Sequence, residues 1–381
     1  MKKILIVAMA DSVHTARWLE QFERSQHKFV LFPSSPHRRI HPKISYLLSE
    51  SSEMNIRIPA GLKQTGLVLA IIDKFFANRV RGALLRRQIT KINPDILHAV
   101  ETQGAGYISL TAIKKLKIKP YFMLTLWGSD LYWFRQFKRH EIVLRKLLLT
   151  VDCLSMECGR DTAIASELGF EGEIIRPFPV TGGYEIGKDL CAGKRIKTSS
   201  RKRILIKGHT RFVGRALTAL AAIEKLADSL REYEIIVYSA DPKACRVVKK
   251  LALKHSLSIR ALRRGELSHE GLLRLFETSR VYIGVSLSDG ISVSLQEAMV
   301  SGAYPIQTDT SCVDEWIVNG QSGSIVSPHD LNGITVAIKS SLENDLLVDT
   351  AAEINFETAK TRLDRAVVSS LSREFYSRPT L

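Results

Sequence analysis

The sequence predicts an α/β protein made of two domains, and three observations support this fold class. Apolar runs rich in β-branched residues end in polar or glycine turns, and apolar residues at helical spacing follow each turn. A chain of 381 residues with 45% apolar content is long enough for two hydrophobic cores. Between residues 176 and 203, proline, glycine, serine and charged residues cluster without periodicity, which indicates a linker. We therefore expect a hinge and a cleft between two α/β domains.

The composition limits the classes of partner. A formal net charge of +16 predicts a basic surface, which suits nucleic acid, an anionic membrane face or a phosphorylated substrate. No stretch approaches 18 apolar residues, so no membrane span is predicted. The start, MKKILIVAMADS, passes from a short apolar run into a polar turn, which predicts a strand rather than a signal peptide and hence a cytoplasmic protein. The five cysteines lack zinc-ligand spacing, so a metal site is not expected. No cofactor is expected either.

The first strand, KKILIVA, is followed by a helix containing VHTARWLEQF, with Asp11-Ser12 as its cap. Spacings of three and four residues place His14, Arg17 and Trp18 on one helical face. The loop between this strand and helix lies where α/β domains usually contact ligands, so His14 and Arg17 are candidate site residues. In the alternative interpretation, Trp18 packs into the core and the two polar side chains are solvated.

Two later strands of the first half also end in polar residues. The segment PDILHAVETQGAGY places His98 and Glu101 towards the end of a strand, and PYFMLTLWGSD ends at Trp127 and Asp130. Loop residues at these positions are candidates for substrate recognition. A buried His98 that is satisfied by backbone groups is the ordinary alternative.

Three other segments have less specific patterns. Residues 74–91 and 135–149 are predicted to form basic amphipathic helices, which can bind anionic membranes, although most charge runs are solvated helix faces. Residues 32–59 show little periodicity and predict a long loop, which is either functional or a mobile surface excursion.

The most informative stretch is SDGISVSLQEAMVSGAYP, from Ser288 to Pro305. A buried strand precedes it, Asp289-Gly290 ends that strand, and a helix with Gly302 as its C-cap is predicted from about Ser292. The turn places backbone N–H groups and the positive end of a helix dipole at the edge of a sheet, where anions bind. The residues that would supply these amides are Gly290, Ile291, Ser292 and Val293.

Two carboxylates in this stretch suggest a second function for it. Asp289 and Glu297 are eight residues apart, which is roughly 12 Å along a helix, whereas carboxyl pairs that act on one glycosidic bond lie about 5–9.5 Å apart. The spacing therefore favours contacts with two parts of one long ligand, such as a nucleotide sugar. The alternative is that Asp289 is only a turn residue and Glu297 a solvated helix residue.

The second half begins with RILIKGHTRFVGRALTALAAIEKL, which predicts a strand, a glycine loop and a helix. Cations beside glycines in such a loop suit a diphosphate. The candidates are Lys207, Gly208, Arg211 and Arg215. The next predicted strand, YEIIVYSA, places Ser239 where it would face a nucleotide base. The alternative is that these cations are only solvated side chains on the surface of the loop.

The stretch from Asp289 resembles the donor-site signature of the family-4 retaining glycosyltransferases, which have the two-domain GT-B fold. That signature is an acidic residue, seven residues, and Glu-Ala-Met followed by Gly-x-Pro, and here it runs from Asp289 to Pro305. The similarity continues through Glu315, Asn319-Gly320, Gly323, Pro328 and Asp330. The chain departs from the pattern in having Asp289 where Glu is usual, and His209 where the phosphate loop usually has Arg.

The resemblance implies two Rossmann-like domains facing each other across a cleft. The expected boundaries are an acceptor-side domain over 1–180, a linker over 181–202 and a donor domain over 203–359, with a last helix, about 360–381, crossing back to the first domain. It implies a nucleoside-diphosphate sugar as donor, retention of configuration without a metal, and a glycan or lipid-linked acceptor, as in cell-surface polysaccharide synthesis.

The resemblance also assigns roles to individual residues. Asp289 would hold the donor sugar and Glu297 the ribose, and His98 matches a histidine segment common in the family, so these three are the expected catalytic residues. Lys207, Arg215 and Arg211 would neutralise the diphosphate. The acceptor-side candidates are His14, Arg17, Glu101, Trp127 and Asp130.

Two other classes remain possible from the sequence. A non-enzymatic nucleic-acid binder is disfavoured because the chain lacks interleaved aromatic and basic stacking motifs. A sugar-nucleotide epimerase or a phosphorylase of the same architecture would not need a glycan acceptor.

Overall fold

The structure is a computed structural model that describes residues 1–59, 62, 76, 78–179, 182–186 and 196–377. The chain divides into two compact units. The first comprises the residues up to Gly183 together with the segment from Ala366 onward, and the second runs from Tyr184 to Arg365. The junction thus lies within the segment that the sequence predicts as a linker, of which residues 180, 181 and 187–195 lie outside the described part.

The first unit is built on a parallel sheet of seven strands in the order β3-β2-β1-β4-β5-β6-β7. The strands are β1 (Lys3–Ala8), β2 (Lys28–Pro33), β3 (Ile56–Arg57), β4 (Ile96–Val100), β5 (Tyr121–Thr125), β6 (Cys153–Ser155) and β7 (Glu173–Ile174). Helices follow the strands: α1 (Val13–Glu20), α2 (Pro42–Leu47), α3 (Arg79–Ile92), a π-helix (Thr102–Gly106), α4 (Tyr107–Ile113), α5 (Lys138–Leu148), α6 (Gly159–Glu167) and, at the end of the chain, α13 (Arg365–Ser377). Strand order reverses between β1 and β4, which is where such sheets bind ligands.

The second unit has a parallel sheet of six strands in the order β10-β9-β8-β11-β12-β13. The strands are β8 (Arg203–Lys207), β9 (Glu234–Ala240), β10 (Ile259–Arg263), β11 (Val281–Gly284), β12 (Tyr304–Thr308) and β13 (Ser324–Val326). The helices are α7 (Ala216–Lys225), α8 (Pro242–His255), α9 (His269–Glu277), α10 (Val293–Ser301), α11 (Leu331–Glu343) and α12 (Asp345–Arg362). Here the strand order reverses between β8 and β11.

Local sequence signals account for many of these boundaries. The Ser12 hydroxyl accepts a hydrogen bond from the His14 amide at 3.2 Å and caps α1, as predicted. Gly302 ends α10 with a φ of 76°, a left-handed conformation that favours glycine. The central strands β1, β4, β8 and β11 are almost entirely buried because helices cover both faces of each parallel sheet.

The long loop predicted over residues 32–59 is only partly correct. This segment contains α2, which begins with Pro42 at its first turn, and the short strand β3. Ile44 and Leu47 of α2 are buried in the core of the first unit, so tertiary burial orders a segment whose own periodicity is weak.

The end of the chain also differs from its prediction in one detail. One helix was expected over the last residues, whereas the structure has two, α12 and α13, with Leu363 and Asp364 between them. Tyr184 occupies the break: its amide donates to the Leu363 carbonyl at 2.8 Å, and its carbonyl accepts from the Arg365 amide at 2.8 Å. These bonds satisfy backbone groups that a continuous helix would have paired internally.

Helix α13 belongs to the core of the first unit, as the fold prediction requires. Phe375 and Tyr376 are buried there, and the Trp18 indole donates a hydrogen bond to the Tyr376 hydroxyl at 3.2 Å. The Trp18 and Phe375 rings are 5.0 Å apart in an edge-to-face arrangement. Trp18 is therefore a core residue.

Candidate functional site

The predicted donor-binding residues of the second unit come together where strand order reverses. The loops that follow β8 and β11 are joined there by backbone hydrogen bonds: the Arg215 amide donates to the Val285 carbonyl at 2.9 Å, and the Leu287 amide to the Val213 carbonyl at 2.7 Å. The β8 loop and the turn before α10 therefore form one continuous edge, at the carboxyl ends of two parallel strands.

The turn before α10 has the predicted form. After β11 the chain turns at Asp289, whose carboxylate accepts a hydrogen bond from the Gly290 amide at 3.0 Å. Ile291 and Ser292 are buried, Val293 begins the helix, and the Ser292 hydroxyl makes no capping bond within the helix. The positive end of the helix dipole is thus directed at this turn.

Lys207, at the end of β8, lies against the same turn. Its ammonium Nζ donates to the Ser292 hydroxyl at 3.3 Å and lies 3.6 Å from a carboxylate oxygen of Asp289. Burial lowers the pKa of Lys207, but the carboxylates of Asp289 and Glu297 outweigh it and leave that pKa above its ordinary value. Lys207 is therefore a cation at neutral pH, held at a helix N-terminus.

Glu297 is not a solvated helix residue. It is 2% exposed, within a helix that is buried on nearly all sides. Its Oε1 atom is 2.9 Å from Nε2 of His269, the first residue of α9. A buried carboxylate requires such a partner, because an unpaired charge away from water is costly. His269 was not among the predicted site residues, although it shares a helical face with the apolar residues Leu273 and Phe276.

The β8 loop is compact and carries the other predicted cations. At Gly208 an added Cβ would lie 2.7 Å from the Ala240 backbone, and at Gly214 it would lie 2.4 Å from the His209 carbonyl. Only glycine fits at these two positions. Arg215 donates to the Gly214 carbonyl at 2.8 Å, so its guanidinium stays beside the loop, whereas Arg211 is exposed.

His209, which stands where the family usually has Arg, is exposed at the same loop. Desolvation and the neighbouring cations Lys207 and Arg264 lower the pKa of its imidazole, so it is neutral at pH 7. Ser239 is the last residue but one of the adjacent strand β9 and has a φ of 49°, a left-handed conformation that is unusual for serine and is often found at functional sites.

In the first unit the acceptor-side candidates surround the reversal between β1 and β4. The rings of His14 and Trp127 are 5.4 Å apart, which brings the start of α1 next to the loop after β5. Arg17 lies one turn further along α1 and is half-buried. The structure thus brings His14 and Trp127 together, and the contact of His14, Arg17 and Trp127 with an acceptor stays a prediction.

Glu101 and Asp130 hold the loops of this edge. The Glu101 carboxylate accepts from the Gly104 amide at 2.8 Å and also from the Ala105 amide, with its own backbone at a φ of 76°. The Asp130 carboxylate accepts from the amides of Thr102 and Trp127, each at 2.9 Å. Both side chains are used to shape the loops, and their contact with an acceptor stays a prediction.

Burial makes these two carboxyl groups weaker acids than usual. It raises the pKa of Glu101, against the effect of the amides that bond to it. Burial together with the nearby Glu101 carboxylate raises the pKa of Asp130 well above its ordinary range. A raised pKa of this kind is found both at functional sites and in structural networks.

His98 is placed in the core, in the middle of β4. It is fully buried, Nδ1 is 2.6 Å from the Tyr376 hydroxyl, and Nε2 is 2.7 Å from the Thr125 hydroxyl. Burial lowers its pKa to about 3. This geometry favours the alternative of a satisfied core histidine, except that side-chain hydroxyls satisfy it instead of backbone groups, and we assign His98 no contact with substrate.

The two basic segments are helical where the structure describes them. Residues 74, 75 and 77 of the first lie outside the described part, and α3 begins at Arg79. The second contains α5. In the described part of the chain, no helix combines the length and apolar content that crossing a membrane requires.

Comparisons with known proteins identify similar families and folds. The family model "Glycosyl transferase 4-like" matches residues 3–156, and "Glycosyl transferases group 1" matches residues 194–359. The two matches together extend over most of the chain and over both units. A search of the curated proteins found no match.

Solved structures resemble the whole chain. HepE from Anabaena, in complex with UDP and glucose, is 14% identical with a TM-score of 0.69, over 99% of this chain and 100% of its own. Sucrose-phosphate synthase from Thermosynechococcus elongatus is 13% identical with a TM-score of 0.76, and the match covers 99% of this chain and 98% of the synthase chain. An α,α-trehalose-phosphate synthase (UDP-forming) from Burkholderia vietnamiensis is 12% identical with a TM-score of 0.73, over 99% of each. The predicted fold class, two Rossmann-like domains of the GT-B type, is thereby confirmed.

Proposed function

Because the chain belongs to the group 1 glycosyltransferases, we propose that it moves a sugar from a nucleoside-diphosphate sugar to a hydroxyl group. The acceptor is a glycan or a lipid-linked sugar of cell-surface polysaccharide synthesis, the anomeric configuration is retained, and no metal is required. Retention and the acceptor class rest on the family resemblance. The donor class rests also on the geometry of the second unit.

The contact of Lys207 with the turn before α10 is the observation that carries this proposal. Breaking a sugar–phosphate bond develops negative charge on the departing diphosphate. The Lys207 ammonium, held at 3.3 Å from Ser292, and the amides of the turn supply positive charge at one point. Because that charge comes from the protein, the leaving group is stabilised without a metal ion in this proposal.

The other residues of the second unit take the remaining parts of the donor. Asp289 holds hydroxyls of the sugar, and Glu297 holds hydroxyls of the ribose. Arg215 and Arg211 add positive charge beside the diphosphate, with Gly208 permitting close approach of the backbone. Ser239 faces the base. In the first unit, His14, Arg17 and Trp127 contact the acceptor, on a loop framework held by Glu101 and Asp130.

A uridine nucleotide is the first donor to test. The HepE structures contain UDP or UDP-glucose, and the trehalose-phosphate synthase is described as UDP-forming. We expect UDP to raise the melting temperature of the protein more than GDP or ADP does, since a ligand that binds only the folded state stabilises it. A thermal-shift series with these nucleotides and their sugars measures this.

Glu297→Gln is expected to weaken donor binding by roughly 10- to 100-fold, because the ribose hydroxyls lose a charged acceptor. Isothermal titration with the nucleotide sugar selected by the thermal-shift series measures the change in Kd. Glu343→Gln is the matched control, since Glu343 is an exposed glutamate at the end of another helix of the same unit. Equal affinities for wild type and Glu297→Gln would contradict the ribose role.

A separate assay distinguishes the alternative reactions. Turnover with inorganic phosphate would indicate a phosphorylase, and turnover without any acceptor would indicate an epimerase.

The proposal includes contact with an anionic membrane through α5 at the cytoplasmic face. Leu144, Leu147 and Leu148 bury one side of this helix. The opposite side exposes Ile142 and, just beyond the helix, Leu149, which are 46% and 71% exposed. At 3.6 residues per turn the exposed cations Lys138 and Lys146 share that side. Apolar and basic residues on one face suit a lipid surface with negative head groups.

Replacing Lys138 and Lys146 together by glutamine is expected to lower binding to phosphatidylglycerol-containing vesicles by roughly 30-fold, at about 1 kcal/mol per lysine. Vesicle flotation measures the bound fraction, with neutral phosphatidylcholine vesicles as reference. Lys249 and Lys250, an exposed pair on α8, provide the matched double variant. An equal loss in both double variants would show a general charge effect and count against α5 as the docking surface.

A further inference from the structure

The side chain of His269 shields Glu297 from solvent. Its Nε2 atom is 2.9 Å from Oε1 of Glu297, and among the described residues it is the one hydrogen-bond donor to that carboxylate. The side chain of His269 is 44% exposed, whereas that of Glu297 is 3% exposed. The carboxylate is therefore almost entirely buried, whereas its histidine partner is partly open to solvent.

Packing between two helices fixes this contact. His269, Leu273 and Phe276 lie on one face of α9, at spacings of four and three residues. Leu273 is buried in the same apolar cluster as Leu295 of α10, and Phe276 in the same cluster as Ala298. Since α9 is held against α10 on either side of Glu297, the backbone of His269 is kept within reach of the carboxylate.

Charge around Glu297 is arranged asymmetrically. His269 bonds to Oε1 on the α9 side, while Lys207 and Tyr238 interact electrostatically with the carboxylate from the sheet side. No donor among the described residues bonds to Oε2. One oxygen is thus fixed by the protein, and the other remains for a ligand.

We propose that His269 is a positioning residue for the donor nucleotide: by donating from Nε2 to Oε1, it orients Glu297 so that Oε2 accepts a hydrogen bond from a ribose hydroxyl. This inference rests on the proposed function, since it assigns a partner to the residue that holds the ribose. His269 acts through Glu297 and does not contact the reacting atoms.

The expected effect follows from the strength of the bond that is lost. A hydrogen bond to a charged group contributes enough to change an equilibrium by roughly 10- to 100-fold. Without His269 the Glu297 carboxylate is free to rotate, and rotation removes the prepared acceptor. The loss of this hydrogen bond should weaken donor binding and leave the chemical step unchanged, because the ribose is remote from the sugar–phosphate bond that breaks.

Three variants of the full chain test the inference: His269→Ala, His269→Gln and, as control, Glu270→Gln. The glutamine amide places an N–H group close to the position of Nε2, so His269→Gln keeps a donor to Oε1. Glu270 is the next residue on α9, and its side chain is exposed and pairs with Arg274 at 2.6 Å. Titration with UDP-glucose and steady-state kinetics give Kd, KM and kcat for each variant, and thermal melts confirm that each is folded.

We expect His269→Ala to raise the Kd and KM for the donor by roughly 10- to 100-fold with kcat within a few-fold of wild type. His269→Gln should recover most of that loss, and Glu270→Gln should behave as wild type. Unchanged donor affinity in His269→Ala, failure of the glutamine variant to recover affinity while folded, or an equal loss in Glu270→Gln would each overturn the inference. If wild type binds none of the nucleotides or their sugars, the proposed function itself fails, and this inference fails with it.

Discussion

Replacing Lys207 by alanine is expected to lower the kcat of sugar transfer by roughly 100- to 1,000-fold, the usual cost of removing one group that stabilises developing negative charge. The ammonium lies 3.3 Å from Ser292 and 3.6 Å from Asp289, at the start of α10. Charge on the departing diphosphate is largest in the transition state, so the loss should appear mainly in kcat rather than in KM. Initial rates of nucleoside-diphosphate release at saturating donor measure it.

Lys202→Ala is the matched control for this experiment. Lys202 immediately precedes β8, at the opposite end of the strand from Lys207, and forms an exposed ion pair with Glu232 at 3.2 Å. Exposed pairs contribute little to stability, so this variant should keep wild-type activity. If folded Lys207→Ala retains kcat within about three-fold of wild type, the stabilising charge must come from other groups.

The first unit is expected to lose stability in mild acid because of His98. The unfolded chain binds a proton at this histidine below its ordinary pKa of 6.5, whereas the folded unit does so only near pH 3. Between these values the unfolded state binds more protons, so the free energy of unfolding falls as the pH falls. From pH 7 to pH 4.5 this one group should remove about 2.5 kcal/mol.

The measurement compares urea unfolding of wild type and His98→Gln at several pH values, following tryptophan fluorescence. The variant is expected to be less stable at pH 7 but to lose about 2.5 kcal/mol less between pH 7 and 4.5, because other groups contribute equally to both proteins. His329→Gln, at an exposed histidine of the second unit, should follow wild type. Parallel pH dependence of wild type and His98→Gln would show that His98 takes up its proton normally in the folded state.

Local patterns explain why much of the fold was predictable from the sequence. Strands such as β1 and β11 are continuous apolar runs because both faces of a parallel sheet are covered. The cap at Ser12 and the left-handed Gly302 depend on only a few neighbouring residues. The turn before α10 was predictable for the same reason, since a strand, a turn and a helix within about 20 residues place Asp289 and the neighbouring amides at the edge of the sheet.

Contacts between distant segments explain what the sequence did not reveal. One partner of His98 is Tyr376, 278 residues later, so no local pattern distinguishes a core histidine from one at an open edge. Glu297 and His269 lie on two different helices, so their contact is not visible in a local pattern. The available signal was that His269 is a polar residue on an otherwise apolar helix face. Glu101 and Asp130 bond to amides of loops whose geometry is set by tertiary packing.

The position of α13 has a consequence for the order in which the protein matures on the ribosome. Phe375 and Tyr376 complete the interior around Trp18 and His98, yet they are translated after the whole of the second unit. At usual rates of synthesis, those intervening 182 residues (184–365) take about 10 to 40 s. During that interval the nascent amino-terminal sheet has Trp18 uncovered. The second unit can therefore complete its folding before the first unit, although it is translated later.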